Sequence, residues 1–518
     1  MNYNIIYIFN MAEETSDEVA TYLGQKGYSI FKENISVEEQ HWLREQLTVK
    51  PYIPKSPVQP PAFYIYRESP KKLYIPRFFG FDNYGEPDES RIPDGTSVNI
   101  NFNGSLRDYQ QNVVNTYVSK IGHMGGGGLL ELPCGYGKTI IALNIIGTLK
   151  LKTLVIVHKS FLMNQWIERI EQFLPDARIG KIQGQIIDIE DKDIVIGMLQ
   201  SLSTKTYPSG IFDSFGLTIV DECHHISSEV FSRSLLSIVT KHMLGLSATM
   251  NRKDGLTKVF KMFLGEIVFS VKRDTDDFVL VKSITYNTND HDFNEQITDY
   301  RGNVAYSSMI VKLCDYVPRS EFILTVLETE LKEKDDQQIM ILAHNKSLLT
   351  YLYNAIEERN IASVGYYIGG MKEEALKQSE NKKVIIATYS MASEALDIKT
   401  LSTLIMATPK TDIEQAVGRI LRVKHERPLV VDIVDSHEVY ERQWCKRKKF
   451  YIKNNYKIIK SNNVNYINNK WLDEYIPVNK KDKTKKKCRK AKEDNDSDTE
   501  ESYTPKKSIP KGKCMIKL

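Results

Sequence analysis

"ELPCGYGKT", residues 131–139, stands where an apolar run meets a helical pattern. A phosphate loop needs backbone N–H groups turned inward and a helix N-terminus behind them. It also needs a lysine that reaches the β- and γ-phosphates and a Ser/Thr hydroxyl for Mg²⁺. Gly135 and Gly137 supply the permissive backbone, Lys138 the charge and Thr139 the hydroxyl. The strict pattern G-x-x-x-x-G-K-[ST] starts with glycine, where this chain has Leu132. "GGGGLLEL" before the loop ends in a strand-like run, and "TIIALNIIGTLK" behind it repeats apolar residues at helical spacing. The context is strand–loop–helix. An ordinary glycine turn is the competing reading of this stretch alone.

Two further stretches bear on that choice. "LTIVDECHH" (217–225) is an apolar strand that ends in two acids. A strand tip carrying Asp221 can hold Mg²⁺ through its waters, and Glu222 beside it can orient and deprotonate an attacking water. An acidic turn at a strand end is the bland alternative. "DIEQAVGRILR" (412–422) places Arg419 and Arg422 at i, i+3 on one helical face, with Gln415 a turn earlier. Guanidinium groups facing a phosphate site can stabilise the transferring γ-phosphoryl group, an effect of roughly 10³–10⁵ in rate. Alone, the stretch would read as a solvated basic helix. Together and in this order, the three indicate nucleotide hydrolysis.

Bulk properties agree with a large globular enzyme. The chain has 518 residues, 41% hydrophobic and 26% charged, enough for two or three domains. No apolar run reaches the roughly 20 residues of a membrane helix. "MNYNIIYIFN" lacks the basic start of a signal peptide, and Met11 is an alternative start. The six cysteines contain no C-x-x-C pair, so neither zinc nor a disulfide framework is indicated. Net charge is +4, but residues 479–518 carry 14 Lys/Arg against 7 Asp/Glu, which leaves the remainder slightly acidic. Overall charge therefore gives no argument for nucleic-acid binding, and any basic groove must arise locally.

The organisation reads as five segments. Residues 1–100, with "YRESPKKLYIPRFFGF" after a Pro-rich stretch, read as a small β-rich accessory module. Residues 101–270 alternate strands ("TLVIVH", "DIVIGML", "LTIVDE", "HMLGLSA") with helices such as "FLMNQWIERIEQF". That alternation predicts a parallel sheet covered on both faces. Residues 271–310 are polar and read as a connector. Residues 311–450 repeat the alternation with "QIMILAH", "KVIIATY", "TLIMATP" and "PLVVDIVD". Residues 451–518 form an Asn/Lys-rich extension and a charged tail, disordered from about 479, since blocks of like charge cannot bury enough surface to fold. The tail reads as a solubiliser, with a nucleic-acid tether or import signal as alternatives.

In order, the chain carries "LRDYQ" (106–110), "LPCGYGKT" (132–139), "DECH" (221–224), "GLSATMNRKDGL" (245–256), "ATYSMASEALDI" (387–398) and "QAVGRILR" (415–422). This series resembles the superfamily 2 helicases over about 105–425. The nearest likeness is to the XPB/type III restriction-motor group and to helicases of large cytoplasmic DNA viruses, such as the poxvirus transcript-release helicase. Helicases of this group often carry a P-C-G-x-G-K-[ST] loop without the first glycine. The "RKD" at 252–254 matches the R-E-D element of XPB-type enzymes only in part.

The resemblance implies two tandem RecA-like α/β domains and an ATP-dependent nucleic-acid motor using ATP and Mg²⁺. Under it the nucleotide is bound by Arg107, Gln110, Leu132, Pro133, Cys134, Gly135, Tyr136, Gly137, Lys138 and Thr139. Gln110 would read the adenine edge, and Thr139 and Asp221 would hold the metal. Lys138, Asp221, Glu222, Gln415, Arg419 and Arg422 would be catalytic. His224, Ser247, Ala248, Thr249, Glu394 and Asp397 would couple hydrolysis to domain movement, although Ala395 stands where the family often has glycine. DNA is the expected polynucleotide, because "LRDYQ" and "VHKSFLMNQW" look unlike the DEAD-box elements. An RNA helicase, a translocase that strips RNA or protein without unwinding, and a non-catalytic scaffold are the alternatives. A soluble intracellular monomer is expected, in a virion or host cytoplasm, with transcription or replication proteins as partners.

Overall fold

The structure, a computed structural model, describes residues 20–52, 59–122, 125–133, 135–226, 229–250, 256–271, 278–394, 398–421 and 425–477. Two eight-stranded sheets dominate. The first runs, in spatial order, Ile186–Asp188, Ile179–Gln183, Ile194–Met198, Thr153–Val157, Leu217–Val220, His242–Ser247, Gly127–Glu131 and Ile267–Ser270. Every pairing is parallel except that of the Ile186–Asp188 edge strand. The strands Thr153–Val157, Ile194–Met198 and Leu217–Val220 are buried along their whole length. Continuous burial is what a parallel strand shows when helices cover both faces. Three of those helices position the site: Asp108–Ile121, Lys138–Leu149 and Ser160–Phe173. Leu162, Trp166 and Ile170 of the last face the core as their spacing predicts, while Phe173 is only half-buried and stacks on Phe102 at 5.6 Å.

The second sheet repeats the plan. Its order is Val364–Tyr367, Val384–Thr388, Gln338–Ala343, Leu401–Met406, Leu429–Asp435, Leu280–Tyr286, Lys457–Asn462 and Leu472–Tyr475, again parallel except at the last, edge strand. Parallel strands need long crossovers, so all their carboxyl ends fall on one edge of each sheet. Loops at that edge are where α/β folds bind ligands.

Two expectations need correction. Residues 271–310 are not merely a connector: Leu280–Tyr286 is hydrogen-bonded between Leu429–Asp435 and Lys457–Asn462. Its sequence, "LVKSITY", hides this because Lys282 sits at a buried position. Its ammonium is met by Glu330 at 2.8 Å and Glu333 at 2.6 Å, so a charge that breaks the apolar run is neutralised by the neighbouring helix. The Asn/Lys-rich extension also begins inside this domain. The helix Glu438–Lys453 and the last two strands belong to it, and Tyr466 lies in its core. Residues 478–518 and 1–19 lie outside the described residues.

The N-terminal part is β-rich as expected, with a five-stranded sheet and the helices Val37–Gln46 and Arg77–Tyr84. It is joined to the first large sheet by a shared core, in which Tyr28, Ile30, Leu73 and Ile75 share one apolar cluster with Leu129, Phe260 and Phe263. Arg77, buried, donates to the carbonyls of Thr240 at 2.8 Å and Lys241 at 3.3 Å. Burial pushes its guanidinium down to about 10. Fused in this way, the N-terminal sheet and the first large sheet are packed as one body.

Charged pairs also tie the second domain together. Arg319 and Asp435 are both fully buried, joined at 2.5 and 2.9 Å, and Arg319 also donates to the Ala407 carbonyl at 2.7 Å. Arg319→Ala leaves Asp435 without its cation, and about 3–5 kcal/mol of stability should be lost. Denaturant unfolding of the variant, followed by a probe in the second domain, checks this; an unchanged midpoint would show that the pair contributes nothing.

Candidate active site

The quoted loop leaves the carboxyl end of Gly127–Glu131 and runs into the Lys138–Leu149 helix. Gly135 and Gly137 have φ of 81° and 86°, the left-handed region that favours glycine. A Cβ on Gly137 would lie 2.3 Å from Gln110 Nε2. Gln110 itself donates to the Tyr136 carbonyl at 3.1 Å and accepts from the Arg107 backbone at 3.0 Å. So "LRDYQ" packs directly on the loop. Arg107 caps the Asp108–Ile121 helix, and its guanidinium lies 3.0 Å from the Tyr109 hydroxyl. The rings of Tyr109 and Tyr136 are 4.4 Å apart. Tyr109, which sequence reading passed over, thus forms an aromatic wall beside the loop.

Leu132 is buried and donates from its backbone to the Ser247 carbonyl at 2.9 Å, and Pro133 accepts from the Tyr136 backbone at 3.2 Å. Lys138 and half-buried Thr139 open the helix, where its positive end favours an anion. Cys134 lies outside the described residues.

The acidic strand tip stands next to this loop. Lys138 Nζ is 3.0 Å from Glu222 Oε1. Asp221 is buried; its Oδ1 accepts the Glu222 backbone N–H at 2.9 Å and its Oδ2 accepts the Trp166 indole N–H at 2.9 Å. Glu222 has φ of 46°, a left-handed conformation that is uncommon for glutamate and recurs at functional sites. Burial and then the Glu222 charge push Asp221 up to about 6, against the Trp166 hydrogen bond. Burial opposes ionisation of Glu222, but Lys138 and then His224 outweigh it and hold that carboxyl well below the usual range. His158 stands nearby on the neighbouring strand end; burial, then Lys159, pushes its imidazole down to about 4.

A hydrogen-bond chain leads from here across the cleft. His224 Nδ1 is 2.7 Å from Ser247 Oγ and 3.2 Å from Glu222 Oε2. Ser247 Oγ donates to the Thr249 carbonyl at 2.6 Å, so it accepts from His224. Nε2 of that tautomer is then an acceptor, and Gln415 Nε2 of the second domain lies 3.3 Å from it. Gln415 sits on the helix Glu414–Arg419, whose last residue, Arg419, is buried. Ala248 and Thr249 follow the Ser247 strand end, half-buried. Glu394 ends the helix Tyr389–Glu394, which packs in the same core as Val417; Asp397 and Arg422 lie outside the described residues. A second bridge joins the domains on the Ser160–Phe173 helix: Asn164 donates to Glu373 and Lys377 to Glu168, both at 2.6 Å. Phe161 packs against both domain cores.

Comparison with known proteins decides the family. The family described as type III restriction enzyme, res subunit, matches residues 103–252, and the helicase conserved C-terminal domain matches 322–424. A protein of Acanthamoeba polyphaga mimivirus, named an ATP-dependent RNA helicase, is 35% identical over 485 residues, covering 91% of this chain and 92% of its own. The chain belongs to the superfamily 2 helicases. A helicase of Invertebrate iridescent virus 6 is 28% identical, covering 73% of this chain and 88% of its own. An African swine fever virus protein named an ATP-dependent RNA helicase is 30% identical over 67% of this chain and 73% of its own. The solved structure "S. cerevisiae Dbp5 bound to RNA and ADP BeF3" matches with a TM-score of 0.49 and 11% identity, over 70% of this chain and 91% of that one. This helicase has two RecA-like domains, hydrolyses ATP and binds nucleic acid. Among the described residues, no helix of the helicase is long and apolar enough to cross a membrane.

Gly137→Ala tests the loop geometry. The left-handed backbone costs an alanine about 1–2 kcal/mol, and Gln110 must also move, so ATP affinity should fall about tenfold or more. Nucleotide titration reads the effect; unchanged affinity would mean the loop does not bind phosphate in this conformation.

Proposed function

We propose that this helicase is a DNA motor whose ATP site is completed by both domains. The observation that carries the reading is the short path Lys138–Glu222–His224–Gln415, which runs from the phosphate loop to the arginine helix. Lys138 would leave Glu222 for the β- and γ-phosphates of ATP. Glu222 would then lose the cation that suppresses its basicity and would orient and deprotonate the attacking water. Arg419 and Arg422 would approach the γ-phosphoryl group from the second domain and stabilise its charge. Product release would weaken that hold and let the cleft open, with His224, Ser247, Thr249, Glu394 and Asp397 transmitting the change.

The site suits a metal–nucleotide. Thr139 and Asp221 are oxygen donors of the kind Mg²⁺ takes, beside a cradle that Gln110 leaves too narrow for a side chain at Gly137. These two residues would hold the ion, which supplies charge neutralisation along the phosphates. Gln110 and Arg107 would lie toward the adenine, with Tyr109 beside them.

DNA is favoured because the first domain matches a restriction-enzyme subunit over residues 103–252 and its "LRDYQ" differs from DEAD-box elements. RNA is the second reading, favoured by the names of the mimivirus and African swine fever virus relatives. Nucleic acid would cross the carboxyl edges of both sheets, gripped mainly through its phosphates. The likeness to viral relatives supports a role in viral transcription or DNA metabolism, and the protein would act as a monomer.

Arg419→Ala should slow hydrolysis by roughly 10³–10⁵ while changing nucleotide affinity only a few-fold; equal losses in both would make Arg419 structural. ATP hydrolysis and strand displacement on DNA, RNA and hybrid duplexes with 3′ or 5′ tails test the substrate. Stimulation by RNA alone would replace the DNA reading with the second one.

A further inference from the structure

Trp166 holds Asp221, and nothing in the motif series assigns it that task. Trp166 lies on the Ser160–Phe173 helix, 1% exposed, so its ring reads from sequence as ordinary core. Its indole N–H nevertheless reaches Asp221 Oδ2 at 2.9 Å, and the Glu222 backbone N–H holds Oδ1 at 2.9 Å. Both carboxylate oxygens are thereby fixed. An indole has one donor and no acceptor, so it can orient a carboxylate without competing for a cation. Left unpaired in the core, that N–H would be costly. The N–H therefore needs a partner, and the buried partner here is the acid at the strand tip.

We propose that Trp166 is a positioning residue that fixes the Asp221 carboxylate in the orientation that receives Mg²⁺–ATP, an inference that rests on the role proposed above for Asp221. The helix carrying Trp166 also carries Asn164 and Glu168, which bond to Glu373 and Lys377 of the second domain. The support of the carboxylate is thus anchored to both halves of the motor. Outer partners of metal-binding side chains affect metal affinity or activity about 10–100-fold when removed.

Trp166→Phe keeps an aromatic ring and removes the N–H. Replacing Trp166 with the sulfur isostere β-(3-benzothienyl)alanine removes the N–H while keeping the bicyclic shape, which separates hydrogen bonding from packing. Both should raise the Mg²⁺ concentration for half-maximal ATP hydrolysis about 10–100-fold. Equilibrium binding of fluorescent ADP should lose most of its Mg²⁺-dependent gain, while binding in EDTA and the melting temperature of the isostere stay at wild-type values. Wild-type Mg²⁺ dependence in the isostere would overturn the role of Trp166. Asp221→Asn is the control. If it too leaves Mg²⁺ dependence untouched, the assignment of Asp221 falls and takes this inference with it. If Asp221→Asn loses that dependence and the isostere keeps it, only Trp166 is misassigned.

Discussion

The ion pair between Lys138 and Glu222, 3.0 Å long, is the contact around which the motor is built. It exists because two parallel strands, Gly127–Glu131 and Leu217–Val220, end on the same sheet edge with only His242–Ser247 between them. One strand delivers a cation at a helix start, the other a pair of acids. Each is costly to bury alone, and each lowers the cost of the other. The same pair keeps Glu222 ionised and ties up Lys138 until a more highly charged partner arrives. In the proposed role a triphosphate would be such a partner, and binding would exchange one ion pair for another rather than expose a naked charge.

From that pair the rest of the site follows by contact. Glu222 touches His224, His224 touches Ser247 and Gln415, and Gln415 stands on the helix that ends in Arg419. A shift of the second domain is therefore felt at Glu222. The link is a hydrogen bond of 3.3 Å, just beyond the usual range and so a weak one. The bridges from Glu168 and Asn164 to the second domain lie between exposed side chains, where ion pairs are worth about 0–1 kcal/mol. Such contacts add little to the hold of one domain on the other.

The interior of the second domain follows the opposite rule. Arg319 with Asp435, and Arg447 with Asp432, are pairs of fully buried charges, with both guanidinium groups also donating to backbone carbonyls. Charges held this way are expensive to separate, and they brace the sheet from within. Lys282 belongs with them, and it is why the strand carrying it was unreadable in advance: the pattern of apolar residues cannot show a lysine whose partners, Glu330 and Glu333, arrive from a helix some fifty positions away.

Local sequence by itself determined the phosphate loop, the acidic strand tip, the arginine stretch and nearly all the central strands of both sheets. Each of these depends on neighbours within one turn or one strand: glycine where φ is positive, continuous apolar runs where both faces are covered, lysine and threonine at a helix start. Tertiary structure alone decided what those pieces meet. It fused the N-terminal sheet to the motor core, drew Leu280–Tyr286 and the Asn/Lys-rich extension into the second sheet, packed Gln110 onto Gly137, and turned the Trp166 indole toward Asp221. The physical reason is that a side chain's periodicity reports only whether it is buried. The partner of a buried polar atom is chosen by distance in space, and that distance is fixed by crossovers many residues long.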